Sequence, residues 1–145
     1  PEEAMSFAAW YLHSDRVPLG IVSNTDDRCL AVLQRFSPYR SIFCDQEVGD
    51  KVAVPKVTAS SPISMKPSGD GIRWVMAHAL GHEHLLLSDT DLWLHIGDSK
   101  TDDGGAAANA GVLYWQCNPE IGVDFHTLRH LMETRGERLM TALRE

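Results

Sequence analysis

The stretch Leu94-His95-Ile96-Gly97-Asp98-Ser99-Lys100-Thr101-Asp102-Asp103-Gly104-Gly105 carries the most information in this chain. It follows Leu92 and Trp93, so an apolar run ends at Gly97 and a polar, acidic turn begins at Asp98. A run of four to six apolar residues bounded by turn residues reads as a buried strand. In an open α/β sheet, ligands bind outside the carboxyl ends of the strands. Asp98 and Asp103 therefore stand where chemistry is expected.

Working outward, runs 19–23, 41–44 and 112–115 have the same short, β-branched or aromatic character. Helical periodicity fills the intervals. Met5, Ala8, Ala9 and Leu12 follow i, i+3, i+4, i+7 spacing. Cys29, Leu30, Leu33 and Phe36 do much the same, with Asp26 or Asp27 available as a cap. The clearest helix carries Ile72, Val75, Met76, Ala79 and Leu80, between Asp70 and Gly81. A last one carries Phe125, Leu128, Leu131 and Met132 and is broken or bent near Gly136. Strands alternating with helices predict an α/β fold with a mainly parallel sheet flanked by helices. Residues 50–65, with Pro55, Pro62 and a Thr58-Ala59-Ser60-Ser61 tract, hold no period and read as an irregular loop or insertion.

Composition bounds the rest. With 145 residues, 43% of them apolar, the chain holds about one domain's worth of core at 100–200 residues per domain. No apolar run nears the roughly 18 residues of a membrane span, so no membrane partner is expected. A net charge of −7 without a Lys/Arg stripe gives no direct nucleic-acid signature. Cys29, Cys44 and Cys117 are odd in number and lie in or beside apolar stretches, which predicts reduced core thiols in an intracellular, reducing compartment. The chain opens at Pro1 without a Met and is expected to belong to a longer polypeptide.

Two strand ends and one helix start hold a coherent set of groups. Ser23-Asn24 follow the first strand, Lys66-Pro67 lead into the clear helix, and Asp98 with Asp103 follow the third. Hydroxyl, amides and ammonium suit phosphate oxygens, and carboxylates suit Mg²⁺. Other readings of each residue stay open. Ser23 closes a turn; Lys66 is a solvated lysine, with Lys56 as the rival; Asp98 and Asp103 cap the small-residue helix.

In this order the segments resemble the haloacid dehalogenase (HAD)-like hydrolases. Ile21-Val22-Ser23-Asn24 looks like that family's second motif and Ser64-Met65-Lys66-Pro67 like its third. Leu94 to Ser99 with Asp103, then Gly104 through Ala110-Gly111, looks like the fourth and the helix after it. The resemblance implies a Rossmann-like core, of which residues 1–145 would be the later part. It implies Mg²⁺-dependent hydrolysis of a small phosphorylated metabolite through an aspartyl-phosphate. Ser23 and the Asn24 amide would hold the phosphoryl oxygens, Lys66 would neutralise charge, and Asp98 with Asp103 would hold the metal.

One piece is missing. The family's first motif is a strand ending in Asp-x-Asp, whose first Asp is the nucleophile, and it precedes the second motif. Asp89-Thr90-Asp91 is the sole Asp-x-Asp here and comes too late in the chain. The missing strand is central, so its absence would set runs 19–23 and 92–97 about 10 Å apart, twice the usual strand spacing. Two readings follow. Either the nucleophile lies upstream of this chain, or an inactive HAD-like module serves as a subunit in a larger assembly of protein partners.

Other features are read plainly. His78 and His82 stand at i, i+4, as do His126 and His130, but there is no HExxH and polar helix faces explain them. Trp93, Tyr114 and Trp115 belong to strand runs and to the core. Gly104-Gly105 is no phosphate loop, since no GxxxxGK[ST] surrounds it.

Overall fold

Short parallel strands are interspersed with helices along the chain. The computed structural model describes residues 2–13, 19–33, 35, 43–44, 52–53, 55–79 and 93–134. In order these form α1 (Glu2–His13), β1 (Ile21–Val22), α2 (Asp27–Leu33), β2 (Phe43–Cys44), β3 (Val52–Ala53) and β4 (Lys56–Val57). Then come α3 (Asp70–Ala79), β5 (Leu94–Gly97), a wide π-type turn (Lys100–Gly104), α4 (Gly105–Ala110), β6 (Leu113–Gln116) and α5 (Phe125–Glu133).

The strands pair in parallel, and the long connections from β1 to β4 and from β5 to β6 are of crossover length. Ile21 faces Lys56 and Val22 faces Val57. Backbone bonds of 2.9 Å from Ile21 N to the Pro55 carbonyl and from Ser23 N to the Val57 carbonyl extend that ladder. β5 pairs with β6 over four positions, Leu94 with Leu113 through Gly97 with Gln116. β2 pairs with β3. The fold is mixed α/β built from parallel strand pairs. Among the described residues these pairs form three separate sheets, so β1 and β5 each have one strand neighbour.

The reading of 50–65 as an irregular loop is corrected. β3 and β4 lie inside it, and Val57 and Thr58 are buried. Two-residue strands are too short to register as a period, and Pro55 contributes through its carbonyl, which proline retains.

Two apolar clusters hold the elements together. Ile72 and Met76 of α3 pack with Ala106 and Ala110 of α4, joined by Val22, Trp93 and Val112. Small residues in α4 permit that close approach, and Gly111, in the left-handed region at φ 72°, ends the helix. Phe7 and Tyr11 of α1 pack with Phe125, Leu128 and Met132 of α5. Of the predicted α1 face only Ala9 is corrected: it is exposed, and Phe7 and Tyr11 are buried. Aromatic side chains remove more apolar surface from water than alanines do, so they set the face.

The expected core placement of the cysteines is corrected for Cys29 alone. Cys29 is exposed and Cys117 half-buried, both as free thiols. Asp26 is the cap of α2, accepting from Cys29 N at 2.9 Å, while Asp27 takes the Thr58 hydroxyl at 2.5 Å. Trp93, Tyr114 and Trp115 are half-buried. No helix among the described residues is long and apolar enough to cross a membrane. Leu80, Gly81, His82, Asp89 to Asp91 and Gly136 lie outside the described residues.

Candidate functional site

Ser23 and Asp98 directly follow β1 and β5, so both stand at strand carboxyl ends. The Ser23 hydroxyl accepts from Thr25 N at 3.2 Å and shares a 2.8 Å hydrogen bond with the Thr25 hydroxyl. Asn24 reaches across the fold. Its side-chain nitrogen donates to the Lys66 carbonyl at 3.1 Å, and its side-chain oxygen accepts from Lys66 N at 3.0 Å. This reciprocal pair fixes the backbone of the loop before α3. The Lys66–Pro67 peptide is cis, and the Pro67 carbonyl accepts from the Asn109 side chain of α4 at 2.8 Å.

From that loop the Lys66 ammonium makes an ion pair with Oδ1 of Asp103. The wide turn brings the carboxylate there. Asp103 N and Gly104 N both donate to the Ser99 carbonyl, at 2.8 and 3.2 Å, which winds the chain back under its own strand. Gly97 is required by that path: a Cβ on it would stand 2.2 Å from Asp103 Cγ. Ser99 caps the turn, its hydroxyl accepting from Asp102 N at 3.1 Å, so neither Asp98 nor Asp103 plays the capping role.

Asp103 has three donors. Lys66 Nζ and His95 Nε2 meet Oδ1, the latter at 2.9 Å, and Ser99 N meets Oδ2 at 3.1 Å. The side chain of Asp103 is 4% exposed, and those of Lys66 and His95 are each 11% exposed. Burial pushes the Asp103 carboxyl up, but its lysine, histidine and amide donors outweigh that and hold it below the usual carboxylate range. Burial pushes His95 down, against the attraction of Asp103, and favours the neutral ring. The Tyr114 hydroxyl, pushed up by burial and by Asp103, donates to the Gly97 carbonyl at 3.0 Å.

The structure thus joins Asn24, Lys66 and Asp103 in one connected chain, with Ser23 beside Asn24. Lys66, not Lys56 of β4, reaches the aspartate. Asp98 stands apart: it is exposed and makes no hydrogen bond or ion pair among the described residues.

The two aspartates expected to hold a metal, Asp98 and Asp103, differ in how committed their carboxylates are. Both Asp103 oxygens accept from protein donors, and among the described residues no group of three His, Cys, Asp or Glu side chains is placed to hold a metal. Mg²⁺ is commonly held through one or two carboxylates, with waters and phosphate oxygens completing its shell, and Asp98 supplies one uncommitted carboxylate. The histidine spacings do not add ligands there. His78 stacks on Trp74 at 3.7 Å and His126 is exposed.

His95 is the residue that sequence reading missed. It lies in the strand run, yet a polar titratable side chain two positions from Gly97 shares a sheet face with it. That was the available signal, because Gly97 is where Asp103 approaches.

No protein-family model, curated protein or solved structure matches the chain.

Proposed function

We propose that this chain is the later part of a HAD-like phosphohydrolase, hydrolysing a small phosphate ester through an aspartyl-phosphate whose nucleophile comes from outside residues 1–145. The observation that supports this reading is the connection of Asn24, Lys66 and Asp103 across two parallel strand pairs, in the chain order the motifs require. The Ser23 hydroxyl and the backbone amides after β1 would bind phosphoryl oxygens. Lys66 would offer a fixed positive charge, oriented by Asp103. Fixed donors aimed at developing charge supply most of the stabilisation in phosphoryl transfer. Mg²⁺ enters this reading only through Asp98, with its remaining oxygen ligands supplied from outside the described residues.

The two strand pairs agree with a fold that takes one more strand. β1 and β5 each keep an edge without a strand neighbour among the described residues, and buried unpaired backbone groups are costly. A strand carrying the nucleophile would satisfy both edges.

The test is phosphatase activity in the polypeptide that includes the upstream segment, on a generic phosphate ester with Mg²⁺. Asp98→Asn and Lys66→Ala should each abolish turnover, as should a chelator. Activity that survives both substitutions would overturn the site assignment. An upstream segment without an Asp-x-Asp strand, together with no turnover, would replace this reading with an inactive module that binds protein partners.

A further inference from the structure

We propose that His95 is a positioning residue: it donates from Nε2 to Asp103 and thereby aims the carboxylate that holds the Lys66 ammonium. The assignment rests on the phosphoryl-site reading only for the use to which the aimed ammonium is put.

A lysine ammonium sits on a flexible four-carbon stem and goes where its acceptor is. An aspartate carboxylate has a broad terminal torsion of its own. An isolated Lys–Asp pair would therefore place its charge loosely. Here the carboxylate is held from two further directions. Ser99 N grips Oδ2 from the turn, and His95 Nε2 reaches Oδ1 from β5. His95 is itself well fixed. It lies opposite Tyr114 in the β5–β6 ladder, with the two rings stacked at 6.5 Å between centroids. Position is thus handed from the sheet to His95, from His95 to Asp103, and from Asp103 to Lys66.

The arrangement has a second property. Lys66 carries three N–H donors, so it can turn one toward an anion while another stays on Asp103. Were Lys66 to lengthen that contact, Asp103 Oδ1 would keep the His95 donor and would not be left buried and unpaired. Removing a partner from a buried acceptor is the expensive event that this avoids.

The chemistry requires a tautomer. Facing a carboxylate, Nε2 must carry the proton, and in the neutral ring Nδ1 is then the bare nitrogen.

The test is nuclear magnetic resonance on the isotopically labelled full chain. In the unmodified protein, the His95 ring at neutral pH should show Nε2 protonated; a bare Nε2 would overturn the proposal without any variant. His95→Phe removes the donor while keeping a flat ring, and His95→Gln restores an N–H. Hydrogen exchange at the Lys66 ammonium should quicken by roughly tenfold in His95→Phe, the scale of losing one hydrogen bond to a charged group. It should return toward the original rate in His95→Gln. An ammonium equally protected in a folded His95→Phe protein would sink the idea. Titration with inorganic phosphate separates the two readings. Shifts at Ser23, Asn24 and Lys66 support the phosphoryl site, and their absence overturns that reading while leaving the His95 result to stand or fall by itself.

Discussion

Asp103 takes its place as a nearly buried charge because three donors meet it, and the sign of their effect on acid stability can be worked out. A carboxyl held below its unfolded value contributes stability above that value, about 3.9, and loses it as pH falls through the folded value. His95 is also held below its ordinary value, about 6.5, because burial disfavours the charged ring. The folded state thus resists its protonation, and stability falls as pH drops from about 6.5 toward the folded value. Both groups act in the same direction. The midpoint of urea unfolding should therefore decline in two stages on acidification, first below about 6.5 and again below about 3.9. In His95→Gln the first stage should shrink and the second persist. A midpoint in the unmodified protein that holds level from pH 7 to pH 5 would contradict this account of the buried ring.

At the same scale, some residues were legible and others not. Lys66, Asp103, Ser23 and Asn24 were visible because each stands just past an apolar run or just ahead of a helix. His95 was not, because a polar residue inside an apolar run has no local signature of its partner, which lies eight positions on and arrives by a wide turn. The division of labour between the two aspartates was likewise invisible. Spacing makes Asp98 and Asp103 look alike, and only the fold shows one buried against a lysine and the other exposed.

Among the elements, α3 does most to join the parts. Its apolar stripe of Ile72, Val75 and Met76 is buried, and Met76 touches the small face of α4. A tight site of this kind collapses poorly around a void. Met76→Ala should lower stability by about 2–5 kcal/mol, read from chemical denaturation. A loss well under 1 kcal/mol would mean that the α3–α4 contact is loosely packed. This helix could be read from its sequence because its stripe, its acidic start and its length agree. In α1 two stripes overlap: Phe7 and Tyr11 are buried, while Ala9 of the other is exposed. β4 escaped notice because it is two residues long and sits beside two prolines' worth of irregular sequence, at Pro55 and Pro62.

At the scale of the whole molecule, the β1–β4 and β5–β6 pairs are joined by packing between α3 and α4 and by side chains that cross between them. Arg73 of α3 donates to the Asn109 carbonyl of α4, Asn109 donates to the Pro67 carbonyl and the Lys66 ammonium meets Asp103, while Asn24 clamps the loop that carries Lys66 to the end of β1. Removing the clamp should loosen one part against the other without melting either. In Asn24→Ala, amides of the 58–69 loop should exchange faster while those of β5 and β6 keep their protection, as expected for separately opening units. Uniform acceleration throughout would show instead that the fold opens as a single unit.

The clamp has one more consequence. Both Asn24 hydrogen bonds go to the backbone of residue 66, not to its side chain. Any amino acid other than proline offers the same N–H and carbonyl at that place. The loop's position and the charge it carries are therefore held by different atoms. Arginine at 66 would keep both the clamp and a cation for Asp103, whereas a neutral side chain would keep the clamp but leave that nearly buried carboxylate to His95 and Ser99 alone.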